Sequence, residues 1–371
     1  MYKDIYLKKP YFTIAYNHDS SCLEEYSKIG VDEIWAGVYL PDSSMFGSGR
    51  FQRTSMDKSF GYDELGKDFE KANKLGLKTS FLLNPACSGN VEFSKEGMKE
   101  IKMIAGFLKD FKVDYITLSQ PFLSKAFKKL APDTKIKISS HYNTNSYGKF
   151  KFLLDDLDID IVVISQFANK NFKLLRKVTS NWDPERLEIM CTVPCVMGCP
   201  MRNWHSQFYG HSTSLEDADY LPTIPPCLAE SHHNKNVAVS AMFVRREDIR
   251  YYQELGINKF KIGERRDPSE NNINCAKYFT NTLHDYVPFF TKSKILNKMN
   301  LAALDGYYDV FFNEKCSGTE YNCKECNICG EYAEKVFTHS KDDIEKLKLP
   351  ESKDFFNDIL FKNWLEKFDD I

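Results

Sequence analysis

The sequence predicts an α/β protein with a TIM-barrel-like (β/α)8 core, and three observations lead to that prediction. Eight short apolar segments rich in β-branched residues recur between residues 12 and 264. Stretches with helical spacing separate them, as parallel strands joined by crossover helices require. No G-x-G-x-x-G follows the first segment, which argues against the alternative, a doubly wound dinucleotide-binding sheet. The count of eight favours the barrel.

The eight predicted strands are apolar almost throughout, as expected for parallel strands that are covered on both faces. In chain order they are residues 12–17, 33–40, 78–84, 115–120, 135–140, 160–167, 187–192 and 259–264.

Three of the intervening segments show a clear helical pattern. Residues 63–76 place Leu65 and Phe69 on one face and end on a glycine, which is a common helix stop. Residues 95–111 repeat this spacing of apolar side chains, and residues 245–256 also end on a glycine. Each segment has the length of a crossover helix.

The strand–helix rhythm stops near residue 290, and this change predicts the domain organisation. Residues 1–290 are predicted to form the barrel, with a Cys-rich insertion after its seventh strand. Residues 291–371 are predicted to form a small Cys-rich and helical extension, with a terminal helix over residues 353–368.

Bulk composition excludes several classes of protein. Hydrophobic residues make up 42% of the 371 residues, enough for a sizeable core. The formal net charge of -2 gives no strong whole-chain signal for nucleic acid. The first residues lack a signal-peptide pattern, and no run approaches the roughly 18 apolar residues of a membrane span. We therefore expect a cytoplasmic protein, in which grouped cysteines are ligands rather than disulfides.

Eight of the eleven cysteines fall into two groups, and this grouping is the strongest functional signal in the chain. The first group has the spacing C-x3-C-x3-C and a fourth member further on. The second group has the spacing C-x6-C-x2-C-x2-C. Thiols this close cannot all form disulfides without strain, but they can share a metal ion or an iron–sulfur cluster. The groups are Cys191, Cys195, Cys199 and Cys227, and Cys316, Cys323, Cys326 and Cys329.

The first group begins at the end of the seventh strand and continues into a long irregular segment, residues 193–236. Active sites of TIM barrels lie at the carboxyl ends of the strands, so this group is expected at the catalytic mouth. It lacks the paired C-x2-C knuckles of structural zinc sites, which favours iron–sulfur over zinc. It also lacks the C-x3-C-x2-C spacing of radical-SAM proteins.

The second group contains C-x2-C-x2-C, which is close to the cysteine run of bacterial ferredoxins. A second [4Fe-4S] cluster and a zinc ion are both open alternatives here. The centre is expected either to relay electrons or to pin the C-terminal segment to the barrel.

Polar residues at strand ends supply the other candidates for the site. Arginines there can hold a carboxylate through two parallel hydrogen bonds, although strand-end polar residues also commonly cap helices. The chain has no H-E-x-x-H or G-x-S-x-G, so a hydrolase lacks a recognisable nucleophile or zinc-water site. The catalytic candidates are His141, Arg202, His205, Glu264 and Arg265, and the substrate-binding candidates are Arg50, Arg53, Asn84, Asn143 and Arg266.

Four stretches, taken in their order and spacing, resemble the collagenase-like peptidase family, peptidase family U32. The resemblance covers roughly residues 10 to 285, about three quarters of the chain. The stretches are GVDEIWAGV (30–38), GYDELGKDFEKANKLGLKTSFLLN (61–84), KISSHYNTNS (137–146) and SAMFVRREDIRYYQELGINKFKIGER (240–265).

The resemblance implies a TIM-barrel-like core that carries a four-cysteine [4Fe-4S] cluster. Several family members support oxygen-independent hydroxylation, of the ubiquinone ring or of bases in transfer and ribosomal RNA. By resemblance, the first cysteine group would hold the cluster of this chain. The C-P-x-R-x-x-H element at residues 199–205 and the extra C-terminal cysteines are similar to a separate branch of the family.

The main functional hypothesis is therefore an iron–sulfur enzyme of oxygen-independent redox chemistry, such as hydroxylation of a small aromatic or nucleobase substrate. One alternative is a peptidase or other hydrolase, as the family name implies. A second alternative is a non-catalytic redox scaffold that partners another subunit. The expected partners are a small-molecule substrate, an RNA or a partner subunit.

Overall fold

The computed structural model describes residues 5–38, 60–211, 226–264, 267–289, 293, 295–316 and 326–346. Eight parallel strands within these ranges pair in chain order, and the eighth pairs with the first to close a barrel. The predicted TIM-barrel-like (β/α)8 core is thus confirmed. The strands are β1 (Tyr11–Ala15), β2 (Glu33–Ala36), β3 (Lys78–Leu83), β4 (Tyr115–Leu118), β5 (Lys135–Ile138), β6 (Ile161–Val163), β7 (Leu187–Met190) and β8 (Lys259–Ile262).

Helices surround the barrel and follow it in the chain. None of the helices in the described ranges combines the length and apolar character needed to cross a bilayer. They are α1 (Leu23–Ile29), α2 (Tyr62–Lys74), α3 (Lys95–Asp110), α4 (Leu123–Leu130), α5 (Tyr147–Lys151), α6 (Phe172–Thr179), α7 (Arg202–His211), α8 (Pro226–His233), α9 (Lys235–Ser240), α10 (Ile249–Gln253), α11 (Ser269–Phe279), α12 (Asp309–Phe312), α13 (Ile328–Val336) and α14 (Lys341–Glu345).

All eight predicted strands are present, but several end earlier than the apolar runs suggest. The run at residues 160–167 yields a strand of only three residues, Ile161–Val163. The reason is local, because Ser165 accepts a hydrogen bond from the backbone of Phe167 and starts a 3-10 turn. Ser139 does the same after β5. These capped turns place polar side chains at the carboxyl end of the barrel.

The main core lies between the outer faces of the strands and the helices. Phe12, Ile34 and Phe81 point outward from their strands and are fully buried. The predicted inner face of α2 is confirmed, since Leu65 and Phe69 have no exposed surface. This layer fixes the barrel, so the loops at its mouth have a rigid base.

The interior of the barrel is more polar than the predicted all-apolar strands suggest. Lys137 donates to both carboxylate oxygens of Glu33, at 2.6 and 2.8 Å, and to Glu188 at 3.3 Å. Thr13 donates to Glu188 at 2.6 Å. Burial raises the pKa of Glu33, whereas Lys137 and Lys261 outweigh burial at Glu188 and lower its pKa. Inward-facing residues of successive strands meet here, which the sequence alone does not show.

The segment after the barrel packs against the long connection between β7 and β8. Helix α13 packs on α9, and Arg245 donates to the carbonyl oxygens of Leu301 and Leu304 at 2.6 and 3.1 Å. The domain boundary near residue 290 stays a prediction. So does the Cys-rich insertion as a whole, because residues 212–225 lie outside the described ranges, as does the predicted helix 353–368.

Candidate functional site

A cavity of about 300 Å³ opens at the carboxyl ends of the barrel strands, where the active sites of this architecture occur. Its wall is formed by the turns after β3, β5, β6, β7 and β8 together with α7, α8 and α11. The polar and sulfur-bearing residues that line it are Asn84, Ser139, Ser140, His141, Gln166, Thr192, Cys195, Arg202, His205, Cys227, Lys261, Glu264, Asp267, Asn271, Asn272, Cys275 and Tyr286.

The floor of this mouth pocket combines an aromatic ring with a cation. Nζ of Lys261 lies 4.0 Å from the ring centroid of Trp35, within the range of a cation–π interaction. Both residues point inward from their strands and line the pocket. Sequence reasoning missed them. The available signal was their position in the strands, because alternate strand residues face the barrel interior.

One wall of the mouth pocket carries the guanidinium of Arg202, the first residue of α7. The amide oxygen of Gln166, turned toward this guanidinium, accepts from Nε at 2.8 Å and from Nη2 at 3.1 Å. Arg202 also donates to Ser206 one helical turn later. Burial lowers the pKa of Arg202, and the neighbouring Cys195 and Cys199 oppose that shift. The arginine is therefore a positive charge held beside thiols.

Three of the four cysteines in the first predicted group lie together at this wall. Cys195 and Cys227 line the pocket, and Cys199 lies near both of them. Cys195 lies beside the side-chain amide of Gln166, whose oxygen is turned toward Arg202. The turn between Cys195 and Cys199 contains Gly198 with φ of 65°, a left-handed conformation that favours glycine.

Burial governs the protonation of these thiols. It raises the pKa of Cys195, although Arg202 opposes the shift, and it raises the pKa of Cys227 to about 12. Both groups are therefore thiols near neutral pH in the absence of a bound cation. A thiol is a weak nucleophile, whereas a metal that displaces the proton gains a strong ligand.

The structure does not bring Cys191 to the mouth pocket. Its side chain is fully buried, and its Sγ faces the carbonyl oxygen of Ile189 at 4.0 Å. Cys191 lies near the buried phenols of Tyr252 and Tyr308, on the outer side of the barrel. The predicted first group thus separates into three thiols at the mouth and one thiol in the core.

The remaining candidates fall into three sets. The strand-end residues His141, Glu264 and Asn84 line the mouth pocket, and so does His205, which lies on α7 within the segment that was predicted to be irregular. Asn143 does not line it, and its side chain instead accepts from Ser165 at 2.5 Å. The other four candidates, Arg50, Arg53, Arg265 and Arg266, lie outside the described residues.

The second predicted cysteine group lies apart from the mouth, near Tyr307. The phenol oxygen of Tyr307 is 3.3 Å from Sγ of Cys329, and burial followed by the charges of Cys329, Cys316 and Cys326 raises the pKa of that phenol. Cys316 and Cys329 are half-buried, whereas Cys326 is exposed. Cys323 lies outside the described residues.

A buried lysine adjoins this second group. Lys170 is 1% exposed, and its ammonium donates to the carbonyl oxygens of Ala241 at 2.6 Å and Ser240 at 3.3 Å. Burial lowers the pKa of Lys170 to about 8, while Cys329, Asp248 and Cys316 pull it upward. The sequence analysis assigned no role to this lysine.

No three His, Cys, Asp or Glu side chains within the described ranges are arranged to hold a single metal ion. Ligand sulfurs around one zinc ion stand about 3.8 Å apart, as a Zn–S distance of about 2.3 Å and tetrahedral geometry require. The three mouth thiols do not have that arrangement.

Comparison with known proteins adds a family to this geometry. Residues 19–188, which run from the end of β1 into β7, match peptidase family U32. An uncharacterized protease of Methanocaldococcus jannaschii is 24% identical over 309 residues, which are 81% of this chain and 88% of that protein. Over these residues the chain is similar to peptidase family U32. The family resemblance predicted from the sequence is thus confirmed.

A solved U32 structure has a similar fold. The U32 peptidase Mk0906 aligns with a TM-score of 0.50 and 17% identity over 69% of this chain and 94% of that one. At that identity the likeness concerns the fold. The names of both relatives fit the peptidase alternative better than oxygen-independent hydroxylation.

Proposed function

We propose that this protein is an enzyme whose active site is the mouth pocket, and that Cys195, Cys199 and Cys227 hold an iron–sulfur cluster there. The observation that carries the proposal is the meeting of these three thiols beside Arg202, from a loop and a helix far apart in the chain. Cys191, which the sequence grouped with them, is not a ligand in this proposal.

The three thiols suit a cluster on chemical grounds. They are half-buried. Thiolates are the usual ligands of [4Fe-4S] clusters, which occupy more space than one ion. Three ligands leave one position of a four-iron cluster free to face the pocket. Such a cluster would supply one-electron chemistry or Lewis-acid activation of a bound substrate.

The residues of the pocket are suited to a flat, anionic substrate. Arg202 presents a planar guanidinium, which binds carboxylates through two parallel hydrogen bonds. Lys261 and the ring of Trp35 form a floor on which an aromatic or nucleobase ring can stack. His141 and His205 line the same cavity and can hold or deliver a proton near neutral pH. This chemistry supports the hypothesis of a small aromatic or nucleobase substrate.

A peptidase is the second candidate, because the two relatives are named a protease and a peptidase. Its nucleophile would be a pocket cysteine, with Cys195 beside the amide of Gln166 and near Arg202. The raised pKa of this thiol argues against it as a nucleophile, since reactive cysteines have lowered pKa values. The family names remain the support for this candidate.

Anaerobic purification separates the two candidates. Iron and acid-labile sulfide would be quantified per chain, and an absorbance spectrum recorded, for the unaltered protein and for Cys195→Ser, Cys199→Ser and Cys227→Ser. The same preparations would be assayed for cleavage of a mixed set of peptides. Cys87→Ser is the matched control, because Cys87 is half-buried and does not line the pocket.

We expect a brown protein in which each of the three substitutions removes most of the iron held at the mouth. Iron content that is unchanged in all three variants would overturn the cluster. Peptide cleavage that is lost in Cys195→Ser, in a protein free of iron, would establish the peptidase instead.

A further inference from the structure

Gln166 is a buried amide that contacts the cation in the wall of the mouth pocket. It is 3% exposed and lines the pocket. Its amide oxygen accepts hydrogen bonds from Nε of Arg202 at 2.8 Å and from Nη2 at 3.1 Å. One neutral oxygen therefore holds a complete edge of the guanidinium, because these two N–H groups point in the same direction.

The backbone that carries Gln166 is fixed by its neighbours. Ser165, which precedes it, accepts a hydrogen bond from the N–H of Phe167 and caps the 3-10 turn. The hydroxyl of Ser165 donates to the side-chain oxygen of Asn143 at 2.5 Å, and its N–H donates to the carbonyl oxygen of Thr144 at 3.1 Å. The turn after β6 is thus bonded to the turn after β5, which gives the amide a rigid base.

Two further contacts restrain the guanidinium. Nη1 of Arg202 donates to the hydroxyl of Ser206, which donates its own proton to the carbonyl oxygen of Arg202 at 3.0 Å. The ring centroid of Phe167 lies 5.9 Å from Cζ of Arg202, at the outer limit of a cation–π contact. The guanidinium is therefore held at one edge, at Nη1 and on one face.

Two donors of this guanidinium face no strong acceptor among the described residues. A guanidinium has five N–H groups, of which Gln166 accepts two and Ser206 accepts one. Nη1 and Nη2 of Arg202 therefore each keep one N–H. The carbonyl oxygen of Ser140 lies 3.5 Å from Nη2, a distance at which a hydrogen bond is weak. A carboxylate has two oxygens, which can accept these two N–H groups, one from each nitrogen.

The chemical type of Gln166 matters as much as its position. An amide oxygen accepts from a guanidinium without cancelling its charge, whereas a carboxylate in the same place would form an ion pair with it. Within the part of the chain that the structure describes, no carboxylate is bonded to Arg202. The cation is thus oriented by neutral partners and keeps its charge for a ligand.

We propose that Gln166 is the positioning residue of Arg202, and that it makes the mouth pocket selective for a carboxylate on the substrate. The inference rests on the proposed function, because it takes this pocket as the substrate site. The Gln166 oxygen fixes the guanidinium before a ligand binds, so less freedom is lost on binding and affinity rises. A neutral amide ligand gains less, since it offers one acceptor oxygen and no charge.

Two substitutions in the full chain separate orientation from charge. Gln166→Met keeps the approximate size but removes the acceptor, so Arg202 is no longer held at that edge. Gln166→Glu keeps an acceptor and adds a negative charge, so the guanidinium stays in place but its charge is cancelled. Gln120→Met is the matched control, because Gln120 follows β4, donates to Ser88 at 3.1 Å and does not line the pocket.

Benzoate and benzamide are the probes, since they have the same ring and similar size but differ in charge. Calorimetric titration of the anaerobically purified protein gives both dissociation constants. We expect the unaltered protein to prefer benzoate by about tenfold or more. Gln166→Met should lower the affinity for benzoate by about fivefold and change that for benzamide by less than about twofold. Gln166→Glu should abolish the preference, and Gln120→Met should retain it.

Three results would overturn the inference. The first is an unaltered protein that does not prefer benzoate, and the second is a preference that survives Gln166→Glu. The third is an equal loss of affinity for both probes in Gln166→Met, which would indicate a purely structural role. Circular dichroism and the thermal midpoint show whether each variant is folded, and if Gln166→Met is unfolded, the comparison of Gln166→Glu with Gln120→Met decides. Neither probe requires iron or peptide cleavage, so a negative result here is distinct from failure of the proposed function.

Discussion

Lys137 and Glu33 form a buried ion pair inside the barrel, with Nζ 2.6 Å from one carboxylate oxygen and 2.8 Å from the other. Both side chains are at most 2% exposed. Glu188 joins them from the opposite side at 3.3 Å. One lysine therefore compensates two carboxylates below the floor of the mouth pocket, and Lys261 adds a second positive charge nearby.

Removing this lysine should be strongly destabilising. We expect Lys137→Met to lower the free energy of unfolding by about 3–5 kcal/mol, because it leaves buried carboxylates unpaired. Urea denaturation at neutral pH measures the loss. Lys135→Met on the same strand is the control, since Lys135 is exposed and should cost less than about 1 kcal/mol.

The loss of unfolding free energy in Lys137→Met should also depend on pH in a definite direction. Without Lys137, only Lys261 opposes burial, so the pKa of both carboxyl groups rises in the folded state. A carboxyl group whose pKa is higher in the folded state stabilises the fold at low pH and loses that contribution as pH rises. The deficit of Lys137→Met should therefore shrink between about pH 7 and pH 5, and a constant deficit would contradict the unpaired-carboxylate explanation.

The buried histidine of α8 predicts a second pH effect. His232 contacts the carbonyl oxygen of Leu228 at 2.7 Å and Ser293 at 2.8 Å, and burial lowers its pKa. The folded state therefore favours the neutral ring, so stability is lost as pH falls below the unfolded value of about 6.5. Denaturation of the protein and of His232→Gln at about pH 7.5 and 5.5 should show a smaller pH dependence in the variant.

Helix α8 also contains Cys227. A change in this helix on protonation of His232 can therefore be measured at the Cys227 thiol in the mouth pocket. We expect accessibility of Cys227 to a thiol reagent to increase at the lower pH in the metal-free protein. His284→Gln is the control, because its contact to Arg246 lies away from the pocket. Identical pH profiles for all three proteins would show that protonation of His232 does not couple to this helix.

The position of Cys191 predicts a stability effect without an effect on mouth chemistry. Its thiol is fully buried, so Cys191→Ser places a hydroxyl in an apolar site and should cost about 1–3 kcal/mol. Cys191→Ala avoids the polar group and should cost less than the serine variant. Iron content at the mouth should be unchanged in both, as measured against Cys195→Ser. Loss of iron in Cys191→Ala would return Cys191 to the ligand set.

Arg202 predicts how the pocket distinguishes ligands. Arg202→Gln should lose affinity for aromatic carboxylates by at least tenfold, because one charge-assisted pair is worth about 1.5–3 kcal/mol. Titration with benzoate, followed by quenching of Trp35 fluorescence, measures the affinity, and Trp35→Phe identifies the signal of that residue. The matched control is Arg186→Gln, whose contacts to Ile159 and Asp158 lie outside the lining of the pocket.

The sequence by itself predicted the barrel and the resemblance to peptidase family U32. Eight apolar runs with helical stretches between them are local patterns. In each strand or crossover helix, the spacing of the apolar residues shows which side of that element is buried. The same rule placed Asn84, His141 and Glu264 at the mouth, because strand ends of a parallel barrel share one face. The spacing of the cysteines predicted two groups of thiols, and of the first group Cys191 lies apart from the mouth.

Only the tertiary structure decided which of those residues meet. Cys191 follows a strand by one residue, and the direction of its side chain, set by the pleat, sends it to the core instead of the pocket. Lys137, Glu33 and Glu188 are 51 to 155 residues apart, and Lys170 meets thiols more than 140 residues later. Such partners are brought together by barrel closure and helix packing, which depend on contacts between distant parts of the chain. These contacts do not produce a periodic pattern of residues in the sequence.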